Sequence, residues 1–429
     1  MPLLLSLTFI VCNVSAQNID ALINAKEVLR IESVLASDEM QGRKTFTPGI
    51  DKAAAFIAEE FAKMKIAPYP GTNQYLQTFA MLRPKFLGLQ ASLNGVPVDS
   101  KNVVVITCKD TLQINQQSGY ELAQIASGEN FVTEARKYLN TKKNYYVLVD
   151  SSHAGNFGML TRFKSQLYQS EYSTVFMLTS AKPVDFSVAA YHSFTRQSLQ
   201  NVAAIIPGKS RPNEYVIFSG HYDHLGVMSK DRQGNILTDS IFNGANDDAA
   251  GTTAMMLLAQ YFSKQKNNER TLIFVAFTAE EVGGFGATYF SRQLNPDEVV
   301  AMFNIEMIGT ESKWGRNSAY ITGFEKTNMG AILQQNLEGT GFTFYPDPYT
   351  TQNLFYRSDN ATLARLGVPA HTISTSKMDN EPNYHKASDE VGTLDMDNMA
   401  MIIKSIALSA RSIISGKDTP SRVDTKQLK

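Results

Sequence analysis

From Asn201 onward the chain repeats a pattern that few folds can satisfy. Short apolar runs rich in β-branched residues, Tyr215 to Phe218, Thr271 to Phe277, Val300 to Ile305 and Ala370 to Ile373, alternate with stretches of helical periodicity. Strands that are apolar at nearly every position are covered on both faces, and strand-helix alternation is what a parallel sheet requires of its connections. The expected fold class is therefore α/β, with a mainly parallel central sheet flanked by helices. In such sheets functional groups collect beyond the carboxyl ends of the strands, so chemistry is expected in the loops that follow these runs.

The flanking sequence sets further limits. A chain of 429 residues with ordinary apolar and charged content can bury a full core. Its formal net charge of -1 and lack of any basic block leave no electrostatic footprint for nucleic acid or an anionic membrane surface. The apolar run Leu3 to Val14, followed by Ser15-Ala16-Gln17, has the form of a secretory signal. Residues 1–16 are thus expected to be removed and the protein to be exported, periplasmic or secreted. Nothing later is apolar for long enough to span a bilayer, so no integral membrane segment is expected in the mature chain. Removal of Cys12 would leave only Cys108 and no internal disulfide, which places stability on the core with bound metal as a further source.

Residues 17–81 carry helical patterns and read as the first part of the main domain. There Ala53, Ile57, Phe61 and Met64 recur at spacings of three and four, before Pro68 and Pro70. Residues 82–195 hold short β-rich runs such as Asn102 to Thr107 and Tyr145 to Val149 without a cluster of metal-ligand residues, and read as a smaller inserted accessory module. Residues 196–416 complete the main domain. Its last helix sets Met399, Ile402, Ile403 and Ile406 on one face and stops near Gly416, leaving 417–429 as an expected loose tail.

Five short stretches carry chemistry-bearing residues. Ser219-Gly220-His221-Tyr222-Asp223 puts an imidazole just past a strand with a carboxylate two residues on, the kind of outer group that fixes the tautomer of a metal-bound histidine. Asn246-Asp247-Asp248 opens a helix carrying Met255, Leu258, Ala259 and Phe262 on one face; capping by Asp248 explains one carboxylate and leaves Asp247 over. Glu280 and Glu281 follow an apolar strand, where adjacent buried acids repel unless a cation compensates. The next residues, Val282-Gly283-Gly284-Phe285-Gly286, suggest close backbone packing rather than a solvated turn. Glu306 stands within an apolar strand sequence, and His385 in a polar loop after the last strand. Taken singly, a hydrogen-bonded loop, a cap or a surface histidine explains several of these. Together, His221, Asp247, Glu281, Glu306 and His385 suffice for two zinc ions bridged by one carboxylate, with Glu280 left over as a base.

The stretches SGHYDHLG, NGANDDAAG, FTAEEVGG, NIEMIG and NYHKASDE resemble, in order, those of the M28 family of metallopeptidases, over residues from about Asn201 to Leu394. The N-terminal ASDEMQGRKTFTPGIDKAAAFIAEEF is similar to the opening segment of bacterial members. The resemblance implies a zinc exopeptidase fold of the phosphorylase/hydrolase-like type. It also implies one zinc on His221 and Glu306, a second on Glu281 and His385, and Asp247 between them. By the same match Asp223 orients His221, Glu280 is general base and acid, Tyr384 helps hold the oxyanion, and the Asp247-Asp248 peptide is cis. The inserted module falls where many members carry a protease-associated domain. Two departures stand out: Glu306 replaces the more common Asp, and Ser358-Asp359-Asn360 replaces a frequent Ser-Asp-His.

The implied activity is hydrolysis of N-terminal residues from peptide substrates by metal-activated water. The competing expectations are a single-zinc glutaminyl cyclase, which catalyses intramolecular acyl transfer on a related fold, and a binding ectodomain that has lost its ligands. Both imidazoles and all three carboxylates are present, which favours two metals over either alternative.

Overall fold

The computed structural model describes residues 19–139, 141–230 and 234–428. The expected signal, residues 1–16, lies outside them. Contacts divide the chain into two units, one made of the residues up to Thr78 together with Leu199–Lys429, the other of Phe79–Ser198. The second unit takes in all of the 82–195 stretch and extends slightly beyond it at each end.

The sheet of the first unit uses β1 (Phe186–Ile206, of which the last residues belong here), β2 (Arg211–His221), β3 (Arg270–Phe277), β4 (Val299–Ile305), β5 (Ser318–Ile321), β6 (Thr343–Pro346) and β7 (Ala370–Ser374). Their spatial order is β6-β5-β7-β4-β2-β3-β1. Strands β3, β2, β4 and β7 are mutually parallel. Strand β1 joins β3 antiparallel, and β5 joins β7 antiparallel while pairing with β6 in parallel. The parallel core is the set of four apolar runs read from the sequence. The pair β5 and β6 was not anticipated: each has only four residues, and β6 is partly exposed and ends in Pro346, so neither shows a long apolar run.

Every residue of β3 and β4 is buried, which explains their nearly continuous apolar sequence. One face is covered by α3 (Ala250–Gln265), which packs on β2, β3 and β4 and is itself covered by α1 (Ala25–Leu35), α2 (Pro48–Met64) and α4 (Met396–Ser409). Being sandwiched, α3 buries Met256, Leu257 and Tyr261 as well as the expected Met255, Leu258, Ala259 and Phe262. Phe218 of β2 stacks with Phe262, Phe274 and Phe303, joining helix and sheet. Helix α2 begins at Pro48, where a missing N–H costs nothing, and buries Ala53, Ile57 and Phe61.

The C-terminal segment is not loose. Val423 is buried and its N–H bonds Gly367, Arg422 donates to the Val299 carbonyl, and Arg270 donates to the Asp418 carbonyl and the Thr419 hydroxyl. Its polar composition hides this because the anchoring uses backbone carbonyls and a single apolar side chain.

The second unit contains a four-stranded sheet in the order Val103–Ile106, Thr174–Leu178, Tyr145–Val149, Glu121–Ile125, with a helix at Phe131–Lys137. Cys108 is a free thiol there. Among the described residues no helix is long and apolar enough to cross a membrane.

One acid stands on the inner face of α1. Glu32 is fully buried, and burial raises its carboxyl to about 8, opposed by the Arg43 guanidinium and reinforced by Asp389. The folded value lies above the ordinary 4.5, so Glu32 supports folding while protonated, and this contribution is lost as pH rises from about 4.5 through about 8. E32Q should therefore gain on wild type in urea midpoint as pH is raised from near 4 to near 9. A constant difference between the two proteins across that range would exclude Glu32 as the group responsible.

Candidate metal centre

The four parallel strands end on one edge, and the loops beyond them bring the acids and imidazoles together. His221 is the last residue of β2, Glu280 and Glu281 follow β3, Glu306 follows β4, and His385 lies in the loop after β7. Asp247 sits in a wide turn, Ala245–Ala249, just before α3. Three residues next to or within these groups, Ala279, Met307 and His385, adopt φ values of 61°, 52° and 55°. Left-handed backbone is uncommon for non-glycine residues and collects at functional sites.

Asp247 is central. Its Oδ1 lies 3.3 Å from His221 Nε2, and its Oδ2 lies 3.1 Å from His385 Nε2. On the first side, His221, Asp247 and Glu306 present ligand atoms within 4.8 Å of one another. On the second, Glu281 Oε1 is 3.2 Å from His385 Nε2 and 2.9 Å from His224 Nδ1. His224, Asp247 and Glu281 likewise present ligand atoms within 4.8 Å of one another. The buried atoms His221 Nε2, both His224 ring nitrogens, Glu281 Oε1 and Glu306 Oε2 make no hydrogen bond. Buried polar atoms are normally satisfied, so several convergent exceptions with lone pairs suit a shared cation. The donor set of imidazole and carboxylate fits zinc.

The remaining acids hold the loops. The Asp223 carboxylate accepts the N–H groups of Glu280 and Glu281 at 3.0 and 3.2 Å. His221 Nδ1 is 3.1 Å from the Asp223 carbonyl and 3.7 Å from its carboxylate. The Asp247-Asp248 peptide is cis. Asp248 accepts N–H groups from His221, Gly251 and Met307, so one carboxylate joins the ends of β2 and β4 to the first turn of α3. Asp389 accepts the N–H groups of Asn246 and Asp247 at 2.8 and 3.0 Å. Asn360 faces away from this chemistry: it is fully buried and donates to the Phe355 and Ala370 carbonyls. The close packing expected over Val282–Gly286 occurs at Gly286, where a Cβ would meet the Thr278 carbonyl at 2.3 Å, whereas Val282 and Gly283 are exposed.

The neighbouring glutamates titrate in opposite directions. Burial pushes Glu280 well above the usual carboxyl range, with Glu306, Asp359 and Glu281 adding to it. Burial and the Asp247 charge act the same way on Glu281, but the imidazoles of His224 and His385, 2.9 and 3.2 Å from its Oε1, win and hold it at about 2. Desolvation also raises Glu306, and raises Asp359 to about 8. A pair pushed apart in this way can divide proton transfer and cation binding between its members. A cleft of about 110 Å³ opens onto Asp247, Glu280, Glu281, Glu306, Tyr384 and His385. The Tyr384 ring stacks on His385 at 3.9 Å.

The sequence reading gave no role to Arg43, His224 or Asp389. Arg43 is fully buried and donates to the carbonyls of Leu35, Tyr222, Asn243 and Gly244 at 2.5–2.8 Å. Preceding Gly42, with φ 63°, allows the approach, since a Cβ there would meet the Phe242 carbonyl at 2.3 Å. The signal available was the MQGR segment itself, a glycine and arginine in an otherwise helical region.

A mixed sheet with a paired imidazole-carboxylate centre at the carboxyl edge of its parallel strands defines an α/β metal-site protein. Residues 201–410 match the family model for Peptidase family M28, and the chain belongs to that family. It is 33% identical over 118 residues to a probable zinc metalloprotease of Pyrenophora teres f. teres (strain 0-1), covering 27% of this chain and 23% of that protein. It is 28% identical over 259 residues to aminopeptidase YwaD of Bacillus subtilis (strain 168), covering 59% of this chain and 52% of that one. The chain thus spans about a quarter to about half of these relatives. In fold it is similar to BSAP, a zinc aminopeptidase from Bacillus subtilis, with a TM-score of 0.54 at 16% identity, over 95% of this chain and 97% of that one.

The Arg43 contacts carry a direct consequence. R43M would leave four backbone carbonyls without their donor, and buried unpaired polar groups cost about 1–3 kcal/mol each, so the loss of stability in urea unfolding should be on the order of 4 kcal/mol or more. A loss below about 1 kcal/mol would contradict a tethering role for this guanidinium.

Proposed function

We propose that the protein is a zinc-dependent exopeptidase that removes residues from the free N-termini of peptides. The observation that carries this reading is the position of Asp247, with one carboxylate oxygen toward His221 and the other toward His385. In this reading His221 and Glu306 would hold one zinc, Glu281 and His385 would hold a second, and Asp247 would serve both. Bound zinc supplies Lewis acidity, lowering the pKa of water and polarising a carbonyl.

The chain's own residues supply the rest. Glu280 lines the cleft and has a raised pKa, so it is suited to take a proton from the attacking water and to return it to the leaving amine. Asp223 holds the backbone of Glu280 and Glu281, which fixes base and ligand relative to one another, and its carbonyl sets the ring of His221. Tyr384, whose phenol is kept protonated by burial, donates to the developing oxyanion. The acids of the cleft attract a free substrate amine, and this favours cleavage at the first peptide bond. Export after Ala16 is part of the proposal, supported by the apolar Leu3 to Val14 run, and the N-terminal sequence of the secreted protein tests it.

Purified protein should contain about two zinc ions per chain. E280Q should keep them and lose most turnover, whereas E281Q should lose metal; identical behaviour of the two would refute the division of labour. Acetylation of the substrate amine should strongly depress cleavage. Pyroglutamate formation from a glutaminyl peptide with one zinc per chain would instead identify a cyclase.

A further inference from the structure

The cleft that presents Asp247, Glu280, Glu281 and Glu306 is also lined by one guanidinium, that of Arg357. Other arginines of the first unit have evident partners. Arg43 and Arg270 are saturated by carbonyls and Glu214, and Arg30 and Arg316 are paired with carboxylates. Arg357 is exposed, donates to the neutral Gln352 amide oxygen at 3.3 Å, and among the described residues makes no ion pair. Its base is nevertheless fixed: the adjacent Ser358 hydroxyl accepts from Asn304 at the end of β4, 2.7 Å away. It lines the same cleft as Tyr384 and His385.

We infer that Arg357 is a specificity-determining residue that receives a substrate carboxylate. A guanidinium presents N–H groups in a planar fork that matches a carboxylate bidentately, and a neutral amide partner is readily exchanged for an anion. A cation lining an acidic, metal-binding cleft adds nothing to metal affinity, which it opposes, so its use lies with an anionic ligand. Two parts of a peptide carry this chemistry: the side chain of an acidic residue near the cleaved bond, and the terminal carboxylate of a very short peptide. The inference rests on the cleft being a peptide site, and it deepens that reading by naming acidic or very short peptides as the favoured class.

Binding separates this inference from the activity. Zinc-loaded E280Q is titrated by calorimetry with leucylglycine and its C-terminal amide, and with glutamyl and glutaminyl amides of glycine; the same series is run on E280Q/R357Q. One acid of the two pairs should bind about tenfold more tightly than its neutral counterpart, the dipeptide pair reporting a terminal carboxylate and the glutamyl pair a side chain. The double variant should bring that ratio close to one, with R357K intermediate. Absence of any preference in E280Q, or a preference that survives R357Q because the carboxylate meets zinc, overturns the inference. Failure of zinc-loaded wild type to cleave any of these peptides would overturn the peptidase reading, while the binding ratios still decide the role of Arg357.

Discussion

The buried guanidinium of Arg43 is the interaction on which the candidate site most depends. Its four carbonyl acceptors come from the end of α1, from Tyr222 after β2, and from Asn243 and Gly244 before the Asp247 turn. Backbone carbonyls cannot bond one another, and three segments that meet through their carbonyl oxygens need a donor between them. A planar side chain with five N–H groups meets this need at one point. The N-terminal segment, far away in sequence, thereby sets the spacing between the loop that carries His221 and the loop that carries Asp247. Asp248 does the complementary work with an acceptor, gathering N–H groups from His221, Gly251 and Met307. One cation for carbonyls and one anion for amides fix the same loops from opposite sides.

Such scaffolding is needed because the centre collects charge of one sign. Asp223, Asp247, Asp248, Asp359 and Asp389 are buried beside partly buried Glu280, Glu281 and Glu306. The cost of desolvation differs with what each acid accepts. Asp223 and Asp389 each take two backbone N–H groups and are raised only to about 6, while Asp359, with no hydrogen bond to either oxygen, is raised to about 8; Asp248 takes three, but burial and the neighbouring Glu306 and Asp247 still push it well up. Acids with amide partners are suited to hold loops, and acids without them keep lone pairs for a cation or a proton.

The parallel core was legible because β2, β3, β4 and β7 are buried on both faces and leave apolar runs in the sequence. His221, Glu280, Glu281 and Glu306 were legible because each follows such a run within a few residues, whereas Asp247 was legible as the acid left over at a helix start and His385 only together with the others. His224 lay inside a quoted stretch but its part was hidden: its place beside Glu281 depends on how the loops after β2 and β3 fold toward each other, and no local spacing records that. Arg43 acts through carbonyls, which every sequence possesses, so its partners could not be named. The same reason hid the anchoring of Val423 and Arg422, whereas β5 and β6 escaped because four half-polar residues look like a turn.

The departure at Glu306 is absorbed locally. A glutamate reaches one methylene further than the more common aspartate, and at the end of a rigid strand that extra length would carry the carboxylate past its target unless the backbone adjusts. Here the Glu306 N–H bonds the Ile373 carbonyl of β7, and the next residue, Met307, turns into left-handed backbone with its N–H on Asp248. The strand thus stops at the residue that bears the acid, and Glu306 still brings an oxygen within 4.8 Å of His221 and Asp247 ligand atoms. Just before Glu306, Asn304 joins Ser219, Ser358 and Thr372 in a hydrogen-bonded row across β2, β4 and β7. That row reaches Ser358, next to Arg357, so the strand that leads into Glu306 also anchors the backbone from which the guanidinium reaches the cleft.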